Sequence, residues 1–416
     1  MKKILFILTL TFSISVFSQQ SITLNECYSL VETYYPLAKQ NDLLANQNKI
    51  DLDVISNSKL PQISLDVQAT YQSDVIEIPI PNAEIEGLNK DQYRATVSVN
   101  QIIYNGGLTD ASLKVKTAQL KTKQKQVEVI LYQLKQQINQ LYFSVLLAQE
   151  SQLLLKAKQT QLQAKIKEVQ SGIKYGVILP ASDKILQSEL LKVDQQCQEI
   201  ESNKSALIET LSSLISKPLS ASTLFQNPEL ETKLQEKLNR PELELFQLKK
   251  EEIENSESLL SKQNSPKLLG FATGGYGNPG LNMLDNSFQT FYTLGVKVNW
   301  NIFDWNTNKK QRESLAINKD FIENETEIFK LNTNIALNQQ QKEIEKFETF
   351  IISDLEIINL RKEVLKSADS QLKNGVITSS AYITELTNLF EDENTMVKHK
   401  TQLQLAKANY NVIKGQ

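Results

Sequence analysis

The sequence predicts an internally duplicated α+β protein in which each half joins a pair of amphipathic β-strands to a long helical hairpin. Three observations carry that prediction. The chain repeats itself: Val97 to Asn105 aligns with Val296 to Asp304 at an offset of 199, and the same offset brings Ser171 to Ile178 onto Ser370 to Ile377 with five of eight residues identical. Register held over so long a stretch marks each half as one structural unit. Within each half, two short segments alternate apolar and polar residues with the period of a strand. After each pair comes a run without Gly or Pro, Leu108 to Ser171 and Asn306 to Asn374; as one helix, the first would extend about 100 Å.

The elements follow in order. Residues 1–18 have the form of a signal peptide, with Lys2 and Lys3 as the positive start, an apolar stretch from Ile4 to Phe17, and compact residues at Val16 and Ser18 before the expected cleavage. Residues 19–211 are the first repeat. A lead-in helix is expected from Tyr28 to Asn57. The strand hairpin, 61–104, opens with Ile63, Leu65, Val67, Ala69 and Tyr71 on one parity and Gln62, Ser64, Asp66, Gln68 and Thr70 on the other. Its return strand sets Tyr93, Ala95, Val97 and Val99 against Arg94, Thr96, Ser98 and Asn100. In the helical hairpin, 106–211, apolar residues follow a 4,3 spacing through Val127, Leu131, Leu134, Ile138, Leu141 and Val145, and later Leu155, Leu162, Ile166 and Val169, with Gln152 and Gln159 as polar interruptions. That spacing belongs to a helix burying a narrow seam against other helices.

Residues 212–240 form an equatorial linker, and residues 241–416 are the second repeat. It has a lead-in helix from Glu242 to Gln263, a strand hairpin at 266–303 and a helical hairpin at 306–416. One strand parity carries Tyr292, Leu294, Val296, Val298 and Trp300; the other is mixed, with Gln289, Thr293, Lys297 and Asn299. The alternation fits a half-buried strand of a soluble sandwich and a tilted barrel strand equally well. No stretch of 18 or more apolar residues follows the signal, so membrane insertion would have to use strands.

Composition removes other classes. An apolar fraction of 40% supports real burial, and 45 basic against 48 acidic residues, net −3, leaves no basic excess for nucleic-acid phosphates. One histidine and two cysteines cannot build a structural zinc site. Gly275-Tyr276-Gly277-Asn278-Pro279-Gly280 has dinucleotide-type glycine spacing, but a strand follows where a helix is needed. His399, between Lys398 and Lys400, is expected on a solvated helix face. Neither triad nor paired-acid spacing occurs, so no catalytic site and no cofactor are expected. A soluble periplasmic binding protein lacks the required αβ alternation. An exported coiled-coil scaffold or adhesin fits the heptads and the signal but not the strands.

The order and duplication of several motifs resemble the TolC-like outer membrane efflux protein family across essentially the whole mature chain. They are Tyr35-Pro36-Leu37 and Arg240-Pro241-Glu242-Leu243 at the head of each repeat, Leu60-Pro61-Gln62-Ile63 entering the first strand, and Gln101-Ile102-Ile103-Tyr104-Asn105-Gly106-Gly107 with Asn301-Ile302-Phe303-Asp304-Trp305 leaving the strand hairpins. Leu405-Ala406-Lys407-Ala408-Asn409-Tyr410 is similar to the closing helix. The resemblance implies a homotrimer whose twelve strands, four per chain, close one outer-membrane β-barrel continued by an α-helical coiled-coil periplasmic tunnel. Implied partners are outer-membrane lipid, a periplasmic adaptor protein and an inner-membrane transporter. The implied function is an outer-membrane channel-tunnel for tripartite efflux or type I secretion. Four strands are also too few to close a barrel alone, since about eight is the smallest useful number.

Expected site residues follow from the two strand parities and the helical turns. Lipid-facing positions are Ile63, Leu65, Val67, Tyr93, Val97, Val99, Tyr292, Leu294, Val296 and Val298, and lumen-facing positions are Gln62, Ser64, Asp66, Arg94, Ser98 and Asn100. The turns at Gly176, Val177, Ile178, Leu179 and Pro180, and at Gly375, Val376, Ile377, Thr378 and Ser379, are the expected adaptor-docking tip, with Pro180 in the first turn of the ascending helix. Many members of the resembled family close the entrance with two acidic residues after the second turn glycine. Here Ala381 and Thr384 hold those places, which leaves Asp183 and Glu385 nearby as gate candidates.

Overall fold

The computed structural model describes residues 21–76, 87–232 and 237–416; the expected signal peptide lies outside them. A short strand, β1 (Ser21–Ile22), leads to helix α1 (Leu24–Tyr34). Thr23 starts it with a capping box, its hydroxyl accepting from the Glu26 N–H at 3.2 Å while the Glu26 carboxylate accepts from the Thr23 N–H at 2.8 Å. Pro36 then ends the helix, because the residue before a proline is pushed to extended backbone and Tyr35 adopts ψ 138°. A 3₁₀ turn (Pro36–Lys39) precedes α2 (Gln40–Asn57), so the single lead-in helix expected from Tyr28 to Asn57 is two helices.

The remaining elements are β2 (Gln62–Tyr71), β3 (Asp91–Tyr104), α3 (Leu108–Lys174), α4 (Ser182–Leu214), β4 (Leu224–Phe225), α5 (Pro241–Gln263), β5 (Lys267–Asn278), β6 (Gln289–Asn299), α6 (Thr307–Lys373) and α7 (Ser379–Lys414). Helices α3 and α6 have 67 residues each, so the duplication holds in length as well as in motif. Among the described residues no helix is long and apolar enough to cross a membrane. The chain divides into two compact units, and each takes residues from both repeats: one comprises the chain up to Ala38 with Ile130–Arg240 and Leu331–Gln416, the other Lys39–Val129 with Pro241–Lys330.

In the first unit the heptad positions are the core. Ile138, Tyr142, Phe143, Val145 and Leu146 of α3 pack with Leu24, Cys27 and Val31 of α1 and with Ile208 and Leu211 of α4. A second cluster joins Leu155, Leu162, Ile166 and Val169 of α3 to Leu186 and Val193 of α4, Ile358, Leu365 and Leu372 of α6, and Tyr382 and Leu386 of α7. One polar interruption, Gln159, is satisfied by donating to Asp194 at 2.7 Å. The linker is also held: β4 pairs in parallel with β1, Tyr142 donates its hydroxyl to the Ile22 and Gln226 carbonyls at 3.0 and 2.6 Å, and Gln149 bonds both the N–H and the carbonyl of Phe225. Cys27 and Cys197 belong to different clusters and are free thiols; burial pushes the Cys27 thiol up to about 12.

In the second unit β2, β3, β5 and β6 form one antiparallel sheet in that order. The central pairing, β3 with β5, joins the two repeats, and β2 and β6 are the outer strands. Helix–helix ion pairs accompany it, Lys125 to Glu244 at 2.6 Å and Lys116 to Asp51 at 3.3 Å among them.

Candidate functional site

The sheet register decides which side chains share a face. In an antiparallel pair, directly opposed residues point to the same side. Leu65 opposes Val97, Ile63 opposes Val99, Val97 opposes Gly274, and Gly274 opposes Tyr292. Following these pairs across four strands puts Ile63, Leu65, Val67, Tyr93, Val97, Val99, Tyr292, Leu294, Val296 and Val298 on one face. Gln62, Ser64, Asp66, Arg94, Ser98 and Asn100 all fall on the other. The apolar face is open to solvent in the single chain, with Leu65, Tyr292, Leu294 and Val296 among its exposed side chains.

The polar face contains two aromatic rings that the alternation alone leaves unexplained. Phe291 lies over Gly275 on the neighbouring strand and under the Arg94 guanidinium, 5.6 Å from its ring centre; Phe271 lies over Gly295, where a Cβ would come within 2.6 Å of the ring. Each ring occupies the space a side chain would take, so these glycines are packing positions. Gly277 is likewise pressed against the Tyr93 carbonyl. The glycine spacing from Gly275 to Gly280 therefore serves the sheet.

The two helical turns close identically. At the end of α3, Gly176 takes φ +73°, its N–H donating to the Ile173 carbonyl at 3.0 Å and the Val177 N–H donating to the Gly172 carbonyl at 2.9 Å. At the end of α6, Gly375 takes φ +71° with the matching bonds to Leu372 and Gln371 at 3.0 and 2.8 Å. Both are Schellman caps. The expected tip then divides. Val177, Leu179 and Val376 are 54%, 67% and 71% exposed. Ile178 and Ile377 instead pack against the second core cluster, and Ile178 fills the space beside Gly172. Ser379 is buried in the first turn of α7, and Thr378 is its N-cap, accepting from the Ala381 N–H at 3.2 Å. Pro180 lies in the turn two residues ahead of Ser182, outside the first turn of α4 where it was expected. Of the ten expected tip residues, then, Ile178, Ile377 and Ser379 point inward.

The two glycines differ in one respect. A Cβ on Gly176 meets nothing, whereas one on Gly375 would come 2.7 Å from the Val177 carbonyl oxygen. Gly176→Ala is expected to cost about 1–2 kcal/mol for the left-handed backbone alone. Gly375→Ala adds a backbone clash and should be the more destabilising, measured by thermal or denaturant unfolding; equal losses would contradict the close approach.

The gate candidates have partners within the chain. Asp183 faces Lys184 at 3.4 Å, and Glu385 faces Arg361 at 3.6 Å, whose Nε donates to Asp392 at 2.9 Å. Sequence reasoning missed a buried lysine pair nearby. Lys158 reaches Glu189 at 3.0 Å, and Lys165, over the Tyr382 ring, pairs with Glu168 and Asp369. Burial alone would raise the Asp369 carboxyl, but Lys165 and Lys373 outweigh it and hold the group below its ordinary value. Lysines at apolar-flanked heptad positions, Lys158 and Lys165 one turn from Leu162, were the available signal. His399 is not on a solvated face: its Nδ1 lies 2.7 Å from Asp354, and its ring packs against Phe347 and Phe350. Among the described residues no group of three His, Cys, Asp or Glu side chains could hold a metal ion.

No protein-family model matches the chain, and no curated protein matches it by sequence. Solved structures do. The outer membrane protein VceC of Vibrio cholerae superposes with a TM-score of 0.67 at 12% identity over 94% of this chain and 96% of its own. The outer membrane channel CmeC of Campylobacter jejuni gives 0.66 at 14% identity over 94% and 85%, and the open outer membrane channel MtrE of Neisseria gonorrhoeae gives 0.64 at 13% over 94% and 89%. The chain has the fold of these outer membrane channels, which is the fold that the sequence resemblance implied.

Proposed function

We propose that this chain, folded as outer membrane channels are, is the outer-membrane channel-tunnel of a tripartite efflux or type I secretion system, conducting cargo passively from an inner-membrane transporter to the exterior. The observation that carries it is the sheet: one apolar face, one largely polar face, and two outer strands that are unpaired among the described residues, in a unit too small to close. Unpaired strand edges are not tolerated in hydrocarbon. Three copies would pair β2 of one with β6 of the next, giving twelve strands with lipid outside and water within. Apolar side chains left exposed on α6 support the same assembly: Ile317, Phe321 and Ile328 in one unit, Ile352, Leu355 and Leu360 in the other. A scaffold or adhesin that never enters a membrane has no use for that sheet face.

In this assembly Val177, Leu179 and Val376 present the apolar surface on which a periplasmic adaptor docks. Glu385 and Asp183 line the entrance, and opening would exchange Glu385's contact with Arg361 for solvent. The first 18 residues direct export and are removed. The deciding experiment is imaging and native mass measurement of the detergent-extracted protein. A trimer with a twelve-stranded barrel is expected; a soluble monomer or dimer that needs no detergent would end the proposal.

A further inference from the structure

The polar face of the sheet is also a charged face, and its charges are mostly of one sign. The opposed pairs Arg94 with Gly277, Leu269 with Lys297, and Lys267 with Asn299 all fall on the side of Gln62, Ser64 and Ser98. Among the described strand residues of that face, the charged side chains are Arg94, Lys267, Lys297 and Asp66, three cations to one carboxylate. None of the four makes an ion pair among the described residues, so the excess is not neutralised by neighbours. The whole chain leans the other way, with 45 basic against 48 acidic residues. The positive excess therefore belongs to this face and not to the composition.

The cations stand at both ends of the face. Gly277, opposite Arg94, and Leu269, opposite Lys297, are eight residues apart on β5, which is about 27 Å along a strand. Lys267 begins β5, on the side where the long helices attach. Between the two groups lies a row of hydroxyls, Ser64, Ser98, Thr273 and Thr293, directly opposed across all four strands. Asp66 sits in the next row, opposite Thr96, toward Arg94. Phe291 supports the outer cation: its ring fills the space beside Gly275, where a Cβ would come within 2.4 Å, and the Arg94 guanidinium lies over it, 5.6 Å from the ring centre, with the arginine exposed.

In the proposed assembly this face lines the lumen. Twelve strands about 4.8 Å apart and tilted by about 40° make a wall of radius about 12 Å. The Debye length at 0.1 M salt is about 10 Å, so the field of the wall charges reaches most of the lumen, and walls of low dielectric focus it. Rings of Arg and Lys in such a passage enrich anions and deplete cations.

We propose that the barrel lumen is an anion filter, with Arg94 at its outer end and Lys267 and Lys297 at its helical end, and that it favours small inorganic and organic anions as cargo. This rests on the channel function proposed above. Selectivity set instead by the carboxylates of the gate candidates, Asp183 and Glu385, would have the opposite sign.

The detergent-extracted protein is reconstituted into planar lipid bilayers, and the reversal potential is measured under a potassium chloride gradient. The expected result is a chloride permeability several-fold above that of potassium. Arg94→Gln, Lys267→Gln and Lys297→Gln combined should lower that ratio several-fold. Thr293→Glu, which adds a carboxylate at an exposed position in the hydroxyl row, should lower it as well, and it decides the question if the triple variant fails to assemble. A channel that favours potassium, or one whose ratio does not move in these variants, overturns the filter and leaves the channel standing. Protein that inserts and does not conduct, or does not insert, overturns both.

Discussion

Leu65→Arg or Val97→Arg should sharply reduce the amount of assembled protein in the outer membrane, because each places a guanidinium on the face proposed to meet lipid, at a cost of about 2–4 kcal/mol near mid-membrane. The two residues oppose each other directly, as do Ser64 and Ser98 on the other face. Ser64→Arg and Ser98→Arg should therefore assemble normally and change conductance, since the proposed assembly turns their side chains to the lumen. Ser98 touches Thr273 across the sheet at 3.3 Å, a contact between neutral hydroxyls whose loss is small beside the charge effect. Membrane fractionation at matched expression measures the contrast. Equal loss from both pairs would refute the face assignment.

The second large effect is expected at the hairpin tip. Val177→Asp combined with Val376→Asp should leave trimer yield and conductance unchanged while abolishing export and crosslinking to the adaptor. Both side chains stand more than half exposed and contribute little to the core, so their replacement removes an apolar surface and adds two charges where a partner must desolvate. Ile178→Asp serves as the contrasting variant. Its side chain packs against the core cluster beside Gly172, so its loss should appear as instability first. Normal export by the Val177, Val376 double variant would sink docking at this surface.

Much of this architecture was legible because two periodicities are hard to mistake. A strand repeats every two residues and a coiled-coil seam every three or four, so the apolar sets of β2, β3 and β6 and the seam of α3 could be named before any fold was known. Partner choice was less legible. Nothing in the strand sequences states that β3 pairs with β5, because alternation fixes a face and leaves the neighbour open. At the tip, adjacent apolar residues split between core and surface, with Val177 out and Ile178 in; that follows from the cap geometry at Gly176, which composition does not encode. His399 was misplaced for a similar reason. Its lysine neighbours suggested solvent, yet Asp354, 45 residues away, holds the ring between helices. Trp305 takes a left-handed backbone, φ +56°, and the repeat sets it against Gly106 at φ +68°; the alignment paired the two positions, but a tryptophan does not announce that conformation.

The pairing of β3 with β5 also bears on the order of folding. Ser98 meets Thr273 across that ladder, so the sheet closes a loop of about 175 residues, and the entropy of that closure must be met before any of its hydrogen bonds return. The β2–β3 hairpin precedes the second repeat in the chain and can form at once, but its β3 edge stays bare until β5 is available to pair with it. An unpaired edge with an apolar face is a template for the wrong partner. The interval between the two halves is therefore the vulnerable stage in the folding of this chain, when an intermolecular strand exchange has its opening.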